Sequence, residues 1–198
     1  MEILNQSLFL WLNASEHPPA ALVALALFCA KYLILALPLV LTLGWLRGSP
    51  STRQAMLAAA VAAGLGLAVS GLIGQLWPHP RPFVAGIGHT LLAHAPTASF
   101  PSNHLTLWWC VALSLLLHPA TRTLGAGLAL WGLPIAWARI YVGVHYPLDM
   151  LGALLLALPM ALLCRFAIAS WLLRLYELLQ PLYQRLFAPA IRRGWVRR

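Results

Sequence analysis

Acidic residues are nearly missing from this chain. Its 198 residues hold only four carboxylate side chains, and Asp149 is the only aspartate. No other acid lies between Glu16 and Glu177. Lys31 is the only lysine, so arginine carries nearly all of a formal net charge of +9. Charged residues make up 9% of the chain and hydrophobic ones 61%, whereas a soluble domain carries about 25% charged residues. This excludes an ordinary soluble domain and describes an integral membrane protein. Cysteine is sparse as well. Cys29, Cys110 and Cys164 each sit inside an apolar run without paired spacing, which excludes a disulfide framework or a thiolate metal site and leaves buried packing residues. The first dozen residues lack a basic n-region and a cleavage site before the next apolar run, so the whole chain is read as mature.

Apolar length is what the chain has instead. Crossing a bilayer takes roughly 20 apolar residues, and five such runs occur, at 20–46, 55–77, 102–118, 123–140 and 147–170. No soluble domain fits between them. The expected fold is all-α, a polytopic membrane bundle of five to six helices forming a single domain over 1–198, with its membrane core at 20–170. Residues 1–16 (MEILNQSLFLWLNASE) are too short to span and read as an interfacial amphipathic helix. Residues 171–198 mix Leu, Tyr and Trp with arginine, are interrupted by Pro181 and Pro189, and are expected to form a basic tail on the membrane surface.

The arginines orient the bundle. Arg47 and Arg53 lie between the first two spans, Arg122 between the third and fourth, and Arg165, Arg174, Arg185, Arg192, Arg193, Arg197 and Arg198 at or after the end of the fifth. By parity these regions share one side, which the positive-inside rule makes cytoplasmic. Basic charge beside spans reads as contact with anionic lipid, and not with nucleic acid. The outer side then receives the loops at 78–101 and 140–146, and with them His79, Arg81, His89, His94, Ser102, Asn103, His104, Arg139 and His145. Nearly every polar residue capable of chemistry converges on one face.

Three segments at that face call for one explanation: HPRPF (79–83), FPSNH (100–104) and ARIYVGVHYPLD (138–149). Pro101 and Pro147 suit the first turn of a helix, so spans three and five are expected to begin there. Ser102 and Asn103 then occupy a helix N-terminus, whose free N–H groups and positive dipole end suit phosphate oxygens. Arg81 and Arg139 add two fixed positive charges with bidentate donors. His145 and Asp149, at i and i+4, can share a helix face. A carboxylate on one imidazole nitrogen leaves the other as a nucleophile, and His104 is the remaining proton donor for a leaving group. Together these parts describe phosphoryl transfer through a phosphohistidine, with arginines neutralising the transferred oxygens and neither metal nor cofactor called for.

The same residues carry a family resemblance. Arg81-Pro82, then Pro101-Ser102-Asn103-His104, then Arg139, His145 and Asp149 in the spacing Rx5Hx3D resemble the signature of the type 2 phosphatidic acid phosphatase family. HPRPFVAGIG, SFPSNH, VHYPLDMLG and the terminal IRRGWVRR are similar to its undecaprenyl-diphosphate phosphatases of the bacitracin-resistance type, over essentially the whole chain. That resemblance implies a nucleophilic His145 held by Asp149, an acid His104, and phosphate contacts from Arg81, Ser102, Asn103 and Arg139. It further implies a polyprenyl diphosphate substrate and an outward-facing site on a bacterial cytoplasmic membrane. The chain departs from the family pattern at Gly74, where a lysine is usual, at Ala138 in place of serine and at Asn103 in place of glycine.

Plainer roles compete for several residues. Arg81 and Arg139 could anchor at the interface, and Trp45, Trp77 and Trp137 near span ends suit an aromatic belt. His79, His89 and His94 lack the companions and spacing of a zinc site and read as a headgroup lid, with His79 a further candidate for substrate contact. His118, beside Pro119 on the other face, reads as structural. Lys31, well inside the first span, is either a snorkelling cation or a replacement for the charge missing at Gly74. Two other functions remain open, a phosphatase or phosphotransferase for another lipid such as lipid A or phosphatidylglycerol phosphate, and a proton-coupled transporter using His and Asp as a relay. The sequence carries no signal of oligomeric state.

Overall fold

The computed structural model describes residues 2–198. Among them every regular element is helical: α1 (Glu2–Leu12), α2 (Ala20–Lys31), α3 (Ala36–Arg47), α4 (Pro50–Leu76), α5 (Asn103–Leu117), α6 (Arg122–Tyr141), α7 (Pro147–Leu162), α8 (Ala169–Leu186) and α9 (Ala188–Arg192). Four stretches, 20–47, 50–76, 119–141 and 147–167, are long and apolar enough to cross a membrane, and α5 is a shorter apolar helix between them. This is a multi-pass membrane bundle.

α5 runs through its centre and packs against α4, α6 and α7. The α4 face turned inward is small, with Ala55, Ala58, Ala59, Ala62, Ala63 and Gly66 all buried. Small residues let helix backbones approach closely, which is how helices associate where lipid removes the usual hydrophobic drive. On its other side Trp108 of α5 donates its indole N–H to the Leu128 carbonyl of α6 at 2.7 Å.

The first span is not one helix. α2 stops at Lys31, a 3₁₀ turn covers Leu33–Leu35, and α3 starts at Ala36. Pro38 explains the break, because it has no N–H and its ring collides with the carbonyl four residues back, at Ile34. The start of α5 also differs from the sequence expectation. Pro101 lies outside the helix, and Ser102 is its N-cap. Pro147, by contrast, does occupy the first position of α7, after the N-cap Tyr146.

The tail is more ordered than its prolines suggested. α8 runs through Pro181, and Pro189 sits in the first turn of α9. Leu172, Tyr176 and Tyr183 form its buried side. The chain end is held by Arg53, fully buried although it had counted as a loop charge. Its guanidinium donates to Trp45 O at 2.8 Å, to the Tyr183 hydroxyl at 3.1 Å and to the carbonyl of Arg197, with the Tyr183 ring 4.4 Å away.

α1 docks on α6 and α7. It turns Asn5 and Phe9 inward and leaves Ile3, Leu4, Leu10 and Trp11 exposed. Its buried side therefore includes an amide, and that amide has a task at the neighbouring site.

Candidate active site

The directions of four helices create the site. α5 and α7 begin, and α4 and α6 end, at the same end of the bundle. His145 lies there, 1% exposed, just ahead of the α7 N-cap. Its Nδ1 is 3.0 Å from Asp149 Oδ2. The pair is thus built across a helix cap and not along a regular turn. Asp149 is the third residue of α7, and the same Oδ2 accepts the backbone N–H of Tyr146 at 2.8 Å. Ser99 donates its hydroxyl to that oxygen as well. A bare buried carboxylate costs several kcal/mol to desolvate; here three donors offset that cost and fix its direction.

Arg81 sets the state of His145. Its Nη1 lies 3.0 Å from His145 Nε2 and 2.9 Å from the Val144 carbonyl. A guanidinium can only donate, so Nε2 presents its lone pair and the ring proton sits on Nδ1, facing Asp149. Burial pushes the His145 imidazole well below the ordinary histidine range, and Arg139 and Arg81 push the same way against the opposing pull of Asp149. The ring is therefore neutral, with the Nε2 lone pair directed at Arg81. Arg81 also donates to Thr97 O at 3.0 Å and to Ala98 O at 3.1 Å. One side chain thereby ties the 94–100 loop to His145.

The α5 N-terminus forms the next wall. Ser102 is fully buried, donates its N–H to Asp149 O at 3.2 Å, and has a hydroxyl without a protein partner. Asn103 is exposed and accepts the Ser70 hydroxyl on Oδ1 at 2.6 Å, which turns its NH₂ donors toward a ligand. Arg139 is 2% exposed and gives Nη1 to Ala30 O at 3.2 Å, while its Nε is unpartnered. His104 is half-buried, within electrostatic reach of Arg139, His94 and Arg81. Arg81, Ser102, Asn103, His104, Arg139, His145 and Asp149 thus gather around one spot.

Two sequence candidates point elsewhere. The exposed Lys31 places its ammonium over the Tyr32 ring at 5.3 Å. His79 faces Glu2, with Nε2 3.5 Å from its carboxylate, and stacks edge-on against Tyr146 at 5.6 Å. Gly74 has its own physical account. A Cβ there would stand 3.2 Å from Ala98 Cβ, so the 97–100 loop packs where a side chain would start.

The sequence reads His94 as part of a headgroup lid, and the other contributors carry little or no sequence signal. His94 brings its ring to 6.4 Å from that of His145, with Nδ1 bonded to its neighbour's carbonyl at 3.0 Å. Burial together with Arg81 and Arg139 keeps it below the usual histidine range, outweighing that carbonyl. Asn5 accepts the Leu148 N–H at 3.1 Å, capping the α7 N-terminus from 143 residues away. Asn13 bridges the two loops, exchanging bonds with both backbone groups of His89 at 2.9 and 2.7 Å and reaching Tyr141 O at 3.0 Å. Gly143, at φ 83°, lets the His89 backbone pass against it. Of these contributors only Gly143 lies inside one of the three segments marked as chemical in the sequence, and Ser99 sits just ahead of FPSNH.

The chain is similar to several known proteins. The chain is 41% identical over 197 residues to the YbjG protein of Escherichia coli K12, covering all of this chain and 99% of that one. It is 36% identical over 155 residues to the undecaprenyl-diphosphatase BcrC of Bacillus subtilis, covering 78% and 79%. The crystal structure of Aquifex aeolicus LpxE superposes with a TM-score of 0.57 at 26% identity, covering 81% of this chain and 94% of that one. The PAP2 superfamily model matches residues 55–172, a stretch running from α4 through the Arg81, Ser102–His104 and His145–Asp149 segments into α8, and the chain belongs to that superfamily.

Proposed function

We propose that this protein hydrolyses undecaprenyl diphosphate to undecaprenyl phosphate and inorganic phosphate through a phosphohistidine on His145, regenerating a lipid carrier for cell-wall polymers. The observation that carries the reaction class is the buried relay from Asp149 Oδ2 to His145 Nδ1 at 3.0 Å, with Nε2 facing Arg81 at 3.0 Å. The substrate rests on the likeness to BcrC, an undecaprenyl-diphosphatase by name. Arginine placement in the loops argues that the site faces the cell exterior and the C-terminus the cytoplasm.

The terminal phosphate takes the position where Arg81 now meets His145 Nε2, exchanging a nitrogen acceptor for a phosphate oxygen. Arg139 Nε, the Ser102 hydroxyl and the Asn103 amide supply the remaining donors. Nε2 attacks the terminal phosphorus in line; the N–P bond forms as the bridging P–O bond breaks. His104 protonates the departing lipid monophosphate. Asp149 stabilises the imidazolium that results. Water then attacks phosphorus with His104 accepting its proton, the N–P bond breaks, and inorganic phosphate leaves. His94 lies close enough to His145 to contact the diphosphate.

The test is phosphate release from undecaprenyl diphosphate by purified protein in detergent with chelator present. Release is expected, with an acid-labile phosphoryl label trapped on the protein. Continued release by His145→Ala at the wild-type rate would remove the nucleophile assignment, and loss of release in chelator would remove the metal-free mechanism.

A further inference from the structure

A cavity of about 550 Å³ lies at the end of the bundle opposite His145. It opens where α4 and α8 begin, α5 ends in His118, and α7 gives way to a π-helical turn at Leu163–Ala167. Single π turns often mark functional sites. This one presents Arg165 to the cavity. Arg165 donates only Nε, to Leu117 O at 3.2 Å, with its Cζ 5.3 Å from the Phe166 ring, so the bidentate edge of its fork has no protein acceptor among the described residues. His118 likewise uses only Nδ1, paired with Ser114 O at 2.8 Å.

The rest of the lining has the same electrostatic sign. Ser51 and Ser170 belong to the first turns of α4 and α8, whose positive dipole ends meet at the cavity; in α4, Pro50 carries no N–H and the Thr52 N–H is held by Ser49 Oγ at 3.2 Å. No carboxylate lines it. The floor is apolar, with Ala58 and Leu172 buried beneath the polar rim. A cationic rim over an apolar floor, at the ends of spanning helices, matches an amphiphile that carries an anion.

We propose that this cavity binds the phosphate headgroup of a membrane lipid, held by the Arg165 fork and the α4 and α8 N-termini, with its chain leaving over Ala58 and Leu172. The site is separate from the catalytic one and clamps four elements together. Its occupant is a lipid and not free phosphate, because apolar wall makes up most of the lining and the rim lies at the ends of the spanning helices.

The test uses full-length protein in uncharged maltoside detergent, with Tm read from tryptophan fluorescence during titration with dihexanoyl phosphatidylglycerol. Saturable stabilisation is expected for the wild type, with dihexanoylglycerol and inorganic phosphate each failing to reproduce it. Arg165→Gln should weaken the half-saturation by roughly ten-fold or more, the size expected for losing charge-assisted bonds. Ala120→Trp, which fills the mouth and leaves Arg165 and its bond to Leu117 in place, should weaken it similarly. Arg174→Gln on the exposed side of α8 should bind as the wild type does. Circular dichroism and gel filtration establish that each variant is folded. Wild-type affinity in either of the first two variants overturns the proposal, as does full stabilisation by inorganic phosphate alone.

Discussion

Arg81 and Arg53 are two buried arginines at opposite ends of one bundle, 3% and 0% exposed. Both surround their guanidinium with carbonyl oxygens from distant parts of the chain. Arg53 adds a phenol and its ring, and so joins the chain end to α3 and α4. Arg81 adds the lone pair of an imidazole nitrogen. That acceptor can be exchanged for a phosphate oxygen at little cost. On the proposed mechanism, burial alone does not separate a structural arginine from one that binds phosphate; the replaceability of one acceptor does.

The comparison breaks first at the carboxylate. Asp149→Asn should lower kcat by roughly 10⁴-fold, the scale known for an orienting aspartate turned amide, with KM nearly unchanged. Steady-state phosphate release measures both, and a large KM rise with intact kcat would place Asp149 in binding instead. Next come the arginines themselves. Arg81→Lys should cost about 10² to 10³ in kcat, as loss of an aimed donor does, with little change in Tm. Arg53→Lys should reverse this, lowering Tm by roughly 5–10 °C on the scale of a few kcal/mol while turnover per folded molecule holds. If both variants lose turnover and keep Tm, the division between the two ends is wrong.

A smaller effect sharpens the same end. Ser99→Ala removes one of three donors on Asp149 Oδ2 and should reduce kcat about ten-fold, with Ser99→Thr restoring most of it. The smallest effect is in pH. His145 and His94 are both held below the ordinary histidine range by burial. The unfolded chain therefore takes up more protons as pH drops below the unperturbed histidine value of about 6.5. The stability these rings contribute is present above that pH and is lost as pH falls through it. Tm measured from pH 7.5 to 5.5 should decline, and less steeply in His145→Asn.

Much of the site was legible because its residues are the wrong kind for a membrane. A carboxylate, two arginines and several histidines in apolar sequence stand out, and counting spans places their segments at one end. What escaped notice was either ordinary or remote. Ser99 looks like any loop serine until its hydroxyl meets Asp149. Asn5 lies on the first helix, and nothing local links it to Leu148. Arg53 passes for a loop charge until Tyr183 and the chain end close around it. The break between α2 and α3 was readable in principle from Pro38, but the unbroken apolar run masked it.

By itself, the chain determined its helices, its membrane class and the three segments that meet, because apolar length, proline position and residue chemistry act locally. Tertiary structure decided the remainder: that Asp149 reaches His145 across a cap, that Arg81 meets the Nε2 lone pair of His145, that Lys31 turns outward, and that one buried arginine ends on a phenol and carbonyls while another ends on an imidazole. The contacts of Arg81 and Arg53 depend on groups far apart in sequence meeting within about 3 Å, the length of a hydrogen bond, and no local pattern encodes such a distance.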